Sequence, residues 1–133
     1  MKKFKLKYLL FIVAVYFMFS FTVFQEKWEV PAKYESMKNP TEGDKENLAI
    51  GKQLYDKHCR SCHGKEGLGD GTKAGELETP TGDFSAEDFQ KQSDGALFYK
   101  TTTGRGDMPE FAKKIGSDED RWLIVNYLRT FAE

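Results

Sequence analysis

The sequence predicts an all-α protein, a small helical domain behind a long apolar N-terminal segment. Three observations carry this. Apolar residues recur at helical spacing on either side of a glycine-rich middle, no β-branched run of strand length interrupts them, and an unbroken apolar stretch fills residues 8–24. At 133 residues there is room for one small domain plus a targeting segment.

Lys2, Lys3, Lys5 and Lys7 precede the apolar stretch, in which only Ser20 and Thr22 are neither aliphatic nor aromatic. This is a charged start followed by an export signal. Its 17 residues exceed the roughly 7–15 of a cleavable signal and reach the roughly 17–25 that span a bilayer. No Ala-x-Ala-like cleavage site follows, so residues 1–24 are read as a retained membrane anchor, with a cleaved signal as the alternative. The lysines then stay cytoplasmic, and the rest of the chain lies in the periplasm, held at the inner membrane. Trp28 would sit near the headgroups.

Residues 25–40 are polar, carry Pro31 and Pro40 and show no sustained period, which reads as a tether. The alternative is that Trp28, Val30 and Tyr34 pack on the domain, residues 41–133. Residues 1–40 carry seven Lys against three Glu, whereas residues 41–133 hold thirteen basic and eighteen acidic side chains. An acidic domain argues against nucleic acid and for a partner with a basic patch.

Thr41-Glu42-Gly43-Asp44 resembles a capping box, followed by Leu48, Gly51, Leu54, Tyr55 and His58 at helical spacing. Gly51 inside a helix costs about 1 kcal/mol relative to Ala, so it calls for a close helix crossing. Ser85 with Asp88 marks one more turn, and a short helix is expected from Ser93 to about Thr103, stopping at Gly104. A last helix starts at Ser117, with Asp118, Glu119 and Asp120 at its positive end. Leu123, Ile124, Tyr127, Leu128 and Phe131 form its apolar face.

Between the first and second of these helices lies Cys59-Arg60-Ser61-Cys62-His63, the C-x-x-C-H pattern of c-type haem attachment. Each thiol can add to one haem vinyl group, and the adjacent imidazole can ligate the iron. No other cysteine exists to make a structural disulfide. A thioredoxin-like dithiol would want a βαβ setting, which is missing, and a zinc site would want four ligands. His58 is given no role and is expected to face solvent. Residues 64–71 hold four glycines but lack the Lys-Ser/Thr ending of a phosphate loop, and their acidic residues are too few for calcium. They read as a tight loop round the haem.

Haem iron needs a sixth ligand, and its identity sets the chemistry. Met1 and Met18 fall in the export segment and Met37 in the tether, leaving Met108 in the loop Gly104-Arg105-Gly106-Asp107-Met108-Pro109. A methionine in a polar glycine-proline loop has little core to fill, and its soft sulfur suits the iron. With so few large aliphatics in its middle, the domain is expected to be largely unfolded until the porphyrin completes its core.

The order of Gly51, Tyr55, the C-x-x-C-H motif with Gly64, the Met-Pro loop and Trp122-Leu123-Ile124-Val125-Asn126-Tyr127-Leu128-Arg129 resembles the bacterial mono-haem class I cytochrome c family, over about residues 47–131. The resemblance implies the class I cytochrome c fold, with one covalent haem c on Cys59 and Cys62, and His63 and Met108 as axial ligands. It implies that Gly51 and Tyr55 cross the last helix at Ile124 and Tyr127. It also implies that a proline carbonyl, for which Pro80 is the candidate, orients His63. Arg105 and Trp122 are candidate contacts of the haem propionates.

The function these readings imply is one-electron transfer in a periplasmic respiratory chain, without enzymatic bond breaking. Its partners would be a quinol-oxidising complex and a terminal oxidase or reductase, and the host's haem-attachment machinery would keep the thiols reduced. Two alternatives stand beside it: a fixed haem subunit of a respiratory or dehydrogenase complex, and a five-coordinate sensor or haem enzyme.

Overall fold

A computed structural model describes residues 27–132. The export segment lies outside the described residues, and no described helix is long and apolar enough to cross a membrane. The described chain is helical, without strands: α1 (Ala32–Glu35), α2 (Lys45–His58), α3 (Arg60–His63), α4 (Glu87–Gln90), α5 (Asp94–Thr103) and α6 (Asp118–Arg129). Short 3-10 turns lie at Ala74–Glu76 and Phe111–Lys113.

Helix α2 begins at Asp44, whose carboxylate accepts from the Glu46 and Asn47 amides, both at 2.9 Å. The expected capping box is therefore displaced. The Thr41 hydroxyl donates to Asn39 Oδ1 (2.7 Å) and accepts from Asn126 (2.9 Å), so it is not available to cap α2. Helix α5 starts and stops as its sequence suggests, with Ser93 accepting from the Ala96 amide and Gly104 at φ 62° ending it. The Ser85 turn appears one step later: Ser85 bonds Asp83, and α4 starts after Ala86.

Helices α2 and α6 form the principal helix contact. Gly51 makes it possible. A Cβ at Gly51 would overlap the Leu123 carbonyl oxygen and lie 2.9 Å from its carbon and 3.1 Å from Tyr127 Cβ. The glycine thus gives up helix propensity for backbone approach, the packing reason the sequence called for. Gly51→Ala in an exposed helix would be stabilising; here it is expected to cost about 2–3 kcal/mol, read as a lowered thermal midpoint.

The core falls into two clusters. The first gathers Tyr55, Cys59, Phe84, Phe111, Ile115, Ile124 and Leu128, with Met108 and Phe131 at its edge. The second holds Leu97, Phe98, Trp122 and Val125 between α5 and α6. Trp122 stacks on Phe98 (4.1 Å, 11°), and Arg121, buried and bonded to the Ile115 carbonyl and Asp118, closes one edge.

Residues 27–39 lie against the domain. Tyr34 packs on the second cluster and meets Tyr99 at 4.7 Å, Ser93 donates to Glu35 (2.8 Å), and Asn39 donates to Asn126 (2.7 Å).

Candidate haem-binding site

Local hydrogen bonding makes the C-x-x-C-H pentapeptide a single helical turn. Cys59 precedes α3, and its carbonyl accepts from the Cys62 and His63 amides at 3.1 and 3.0 Å. Residues three apart share a helix face, so the turn sets Cys59 and Cys62 on one side of it. Gly64 at φ 85° turns the chain away, and the Tyr55 hydroxyl donates to its carbonyl at 2.7 Å, tying α3 to α2.

The glycine-rich loop then folds back on α3. The amides of Gly69, Gly71 and Lys73 donate to the carbonyls of His63, Cys62 and Ser61 at 2.9, 3.2 and 2.8 Å, filling the acceptors that a helix end leaves open. A Cβ at Gly71 would overlap the Ser61 and Cys62 carbonyls. Two of the loop's glycine amides are thus spent on the chain's own carbonyls rather than on a phosphate. These bonds hold the loop against the motif.

Both cysteines are unpaired, Cys59 buried and Cys62 half-buried. Burial, with the neighbouring Cys62, pushes the Cys59 thiol up to about 12. A dithiol redox centre needs a depressed thiol, so this environment speaks against one.

The His63 ring stacks on Phe84 (4.5 Å, 27°), and Phe84 is fixed by donating its amide to the Gly67 carbonyl at 2.7 Å. Burial lowers His63 to about 4, and a backbone hydrogen bond to Thr81 partly opposes this, so the imidazole is neutral and able to ligate through the physiological range. Its Nδ1 is buried without a hydrogen-bond partner. An orphaned buried imidazole nitrogen is a cost that native structures rarely carry, and it fits a site completed by another group. The donor set agrees: two free thiols, a neutral imidazole and, on the same cluster, a thioether.

Met108 is presented by a tight loop. The Arg105 and Met108 amides each donate to the other's carbonyl at 3.0 Å, with Gly104 and Gly106 at φ 62° and 58° allowing the turn. Asp107 accepts from the Glu78 amide at 2.9 Å, which ties this loop to the segment that carries Thr81. The thioether side chain is half-buried against the first cluster, the one that contains Cys59 and Phe84.

Cys59 belongs to the first cluster, Met108 packs on it, and His63 stacks on its Phe84, while Cys62 stands half-buried next to His63 in the chain. Pro80 is exposed on an open cleft of about 480 Å³ with Leu68, Leu77 and Thr81. Trp122 belongs to the second cluster. Arg105 lies over the Trp28 ring. His58, expected in solvent, packs edge-on against Phe111 at 6.1 Å and is half-buried. The supporting groups that sequence reading missed are the Phe84 ring and the Tyr55 hydroxyl.

Residues 46–128 match the family described as cytochrome c oxidase, cbb3-type, subunit III. Among solved structures, the chain is similar to one of the reducing HAO-like protein complex of Kuenenia stuttgartiensis. The two share 29% identity at a TM-score of 0.65, over 81% of this chain. The chain spans about half the length, 53%, of that neighbour. No curated protein matches it. A c-type cytochrome domain implies covalently bound haem c, and the donor set and the orphaned imidazole nitrogen fit that group. The chain belongs to the cytochrome c oxidase, cbb3-type, subunit III family, within the class I c-type cytochromes.

Proposed function

We propose that this protein is a one-electron carrier of a periplasmic respiratory chain, holding one haem c through thioethers to Cys59 and Cys62 and axial bonds to His63 and Met108. Bound there, haem supplies one reversible electron step, with thioether ligation favouring a positive potential. The observation that carries this reading is the buried, neutral His63 with an unpartnered nitrogen, one residue from a half-buried free thiol and at the end of a helical turn that starts at another.

The residues divide the work. Tyr55 and the glycine loop fix the orientation of α3, Phe84 fixes the ring plane of His63, and the Arg105–Met108 bridge fixes the thioether. Residues 1–24 anchor the domain at the inner membrane, where the electron passes from a quinol-oxidising donor to a terminal oxidase or reductase.

A second reading, a fixed haem subunit of a respiratory complex, is favoured by two observations. The family is named for an oxidase subunit and the solved neighbour belongs to a complex, and residues 27–39 pack on the domain rather than hang free. Gentle detergent extraction separates the two: a carrier leaves the membrane as a single species, a subunit with its partners.

The cofactor assignment is tested by acid-acetone treatment of denatured protein matured in a host competent for haem attachment. Haem is expected to stay with the chain, and intact mass to show one haem. Replacing both Cys59 and Cys62 by Ser should release it; a wild type that gives up its pigment overturns the reading. The same mass shows whether residues 1–24 remain.

A further inference from the structure

We propose that residues 28–41 act as a positioning strap for the Met108 loop, working through the contact of Trp28 with Arg105; the inference rests on Met108 being the distal ligand. The strap is fixed on two helices. On α5, a Cβ at Gly95 would overlap the Tyr34 carbonyl and lie 2.9 Å from Met37 Cβ, so the backbones meet there without room for a side chain. On α6, Asn126 donates to Thr41 (2.9 Å) and to the Glu42 carbonyl (3.0 Å) while accepting from Asn39 (2.7 Å).

From that footing, Trp28 reaches the head of the ligand loop. The Arg105 guanidinium lies 4.7 Å from the indole centroid and Lys100 Nζ 5.6 Å, two cations on one half-buried ring. Arg105 is the residue whose backbone amide and carbonyl are both bonded to Met108. Holding Arg105 therefore holds the strand of loop from which the thioether projects. Asp107 accepts from the Glu78 amide, so two separate segments, at Trp28 and at Glu78, hold residues 104–109. A glycine-bounded loop of this kind belongs to the easily opened part of a fold, and a clamp there governs how often the ligand lets go.

The test uses the haem-loaded full chain and compares Trp28→Ala with Trp28→Phe, which keeps an aromatic face. Two quantities are read: hydrogen exchange at the Arg105 and Met108 amides, and the affinity of the ferric protein for added imidazole, which competes for the distal position. Trp28→Ala is expected to speed exchange at both amides and to tighten imidazole binding, each by about fivefold. Trp28→Phe should recover part of both. Amides of Leu123, Ile124 and Val125 in α6 should be unaffected.

Unchanged exchange in Trp28→Ala overturns the proposal, as does a rise spread equally over α6, which would make the strap a general stabiliser. Met108→Ala serves as the reference. If it leaves imidazole affinity unaltered, the ligand assignment has failed; if it raises that affinity while Trp28→Ala does not, the strap has failed.

Discussion

Chain matured without haem, by replacing Cys59 and Cys62 or by withholding the attachment machinery, is expected to lose most of its helical circular dichroism. The physical case lies in residues 64–83. They contain a single 3-10 turn, and what holds them is mainly backbone bonding to α3 and a few contacts to the first cluster. Leu68 is 50% exposed, and Leu77 and Pro80 line an open cleft rather than a core. The first cluster meanwhile holds the Cys59 side chain and borders an imidazole with an unsatisfied nitrogen, a penalty of about 1–3 kcal/mol while no partner is bound. Small domains keep roughly 5–15 kcal/mol in hand, and a covalent group that binds only the folded chain contributes directly to that margin. A loss on the order of 5 kcal/mol or more is therefore expected. A haem-free chain that melts cooperatively near the temperature of the loaded one contradicts it.

Much of this architecture was legible in the residues because local chemistry and tertiary packing agree. Ser117 and Ser93 are N-caps whose hydroxyls accept helix amides as the sequence suggests, and Gly51 is a helix-interior glycine explained by the one neighbour a Cβ would strike. The C-x-x-C-H turn and the Gly-Met-Pro loop announce donor atoms whose spacing is covalent and local. What escaped was non-local. Nothing around Phe84 marks it as the ring that stacks on His63, because the contact spans 21 residues of irregular chain. Trp122, which as an indole is more often a core aromatic than a haem-edge contact, stacks on Phe98 in the second cluster. The 25–40 stretch carries no helical period, yet Tyr34 packs on the second cluster, Ser36 bonds back to the Ala32 carbonyl, and Asn39 bonds both Asn126 and Thr41.

Met108→Ala is expected to leave the fold intact and to change the chemistry. The loop survives because its closing bonds are backbone to backbone, between Arg105 and Met108, and Asp107 still accepts from Glu78. The lost side chain is half-buried at the margin of the first cluster, so stability falls by about 1–2 kcal/mol, toward the low end for truncating a methionine. The redox consequence is far larger. Thioether ligation raises the potential of a histidine-ligated haem, and axial ligands together tune potentials over roughly 0.8 V, so removing the sulfur is expected to lower the midpoint by roughly 0.1–0.3 V. The far-red charge-transfer band of a sulfur-ligated ferric haem should vanish, and small ligands such as imidazole or cyanide should bind where the wild type resists them. Met108→His makes the complementary case, restoring six-coordination with a nitrogen donor and a lower potential, without reopening the site to cyanide. A wild type that lacks the band, together with an unchanged spectrum and potential in Met108→Ala, would make Met108 a packing residue. An open sixth position would then turn the reading toward the sensor or enzyme alternative, since an iron free to bind ligands does chemistry that a closed carrier does not.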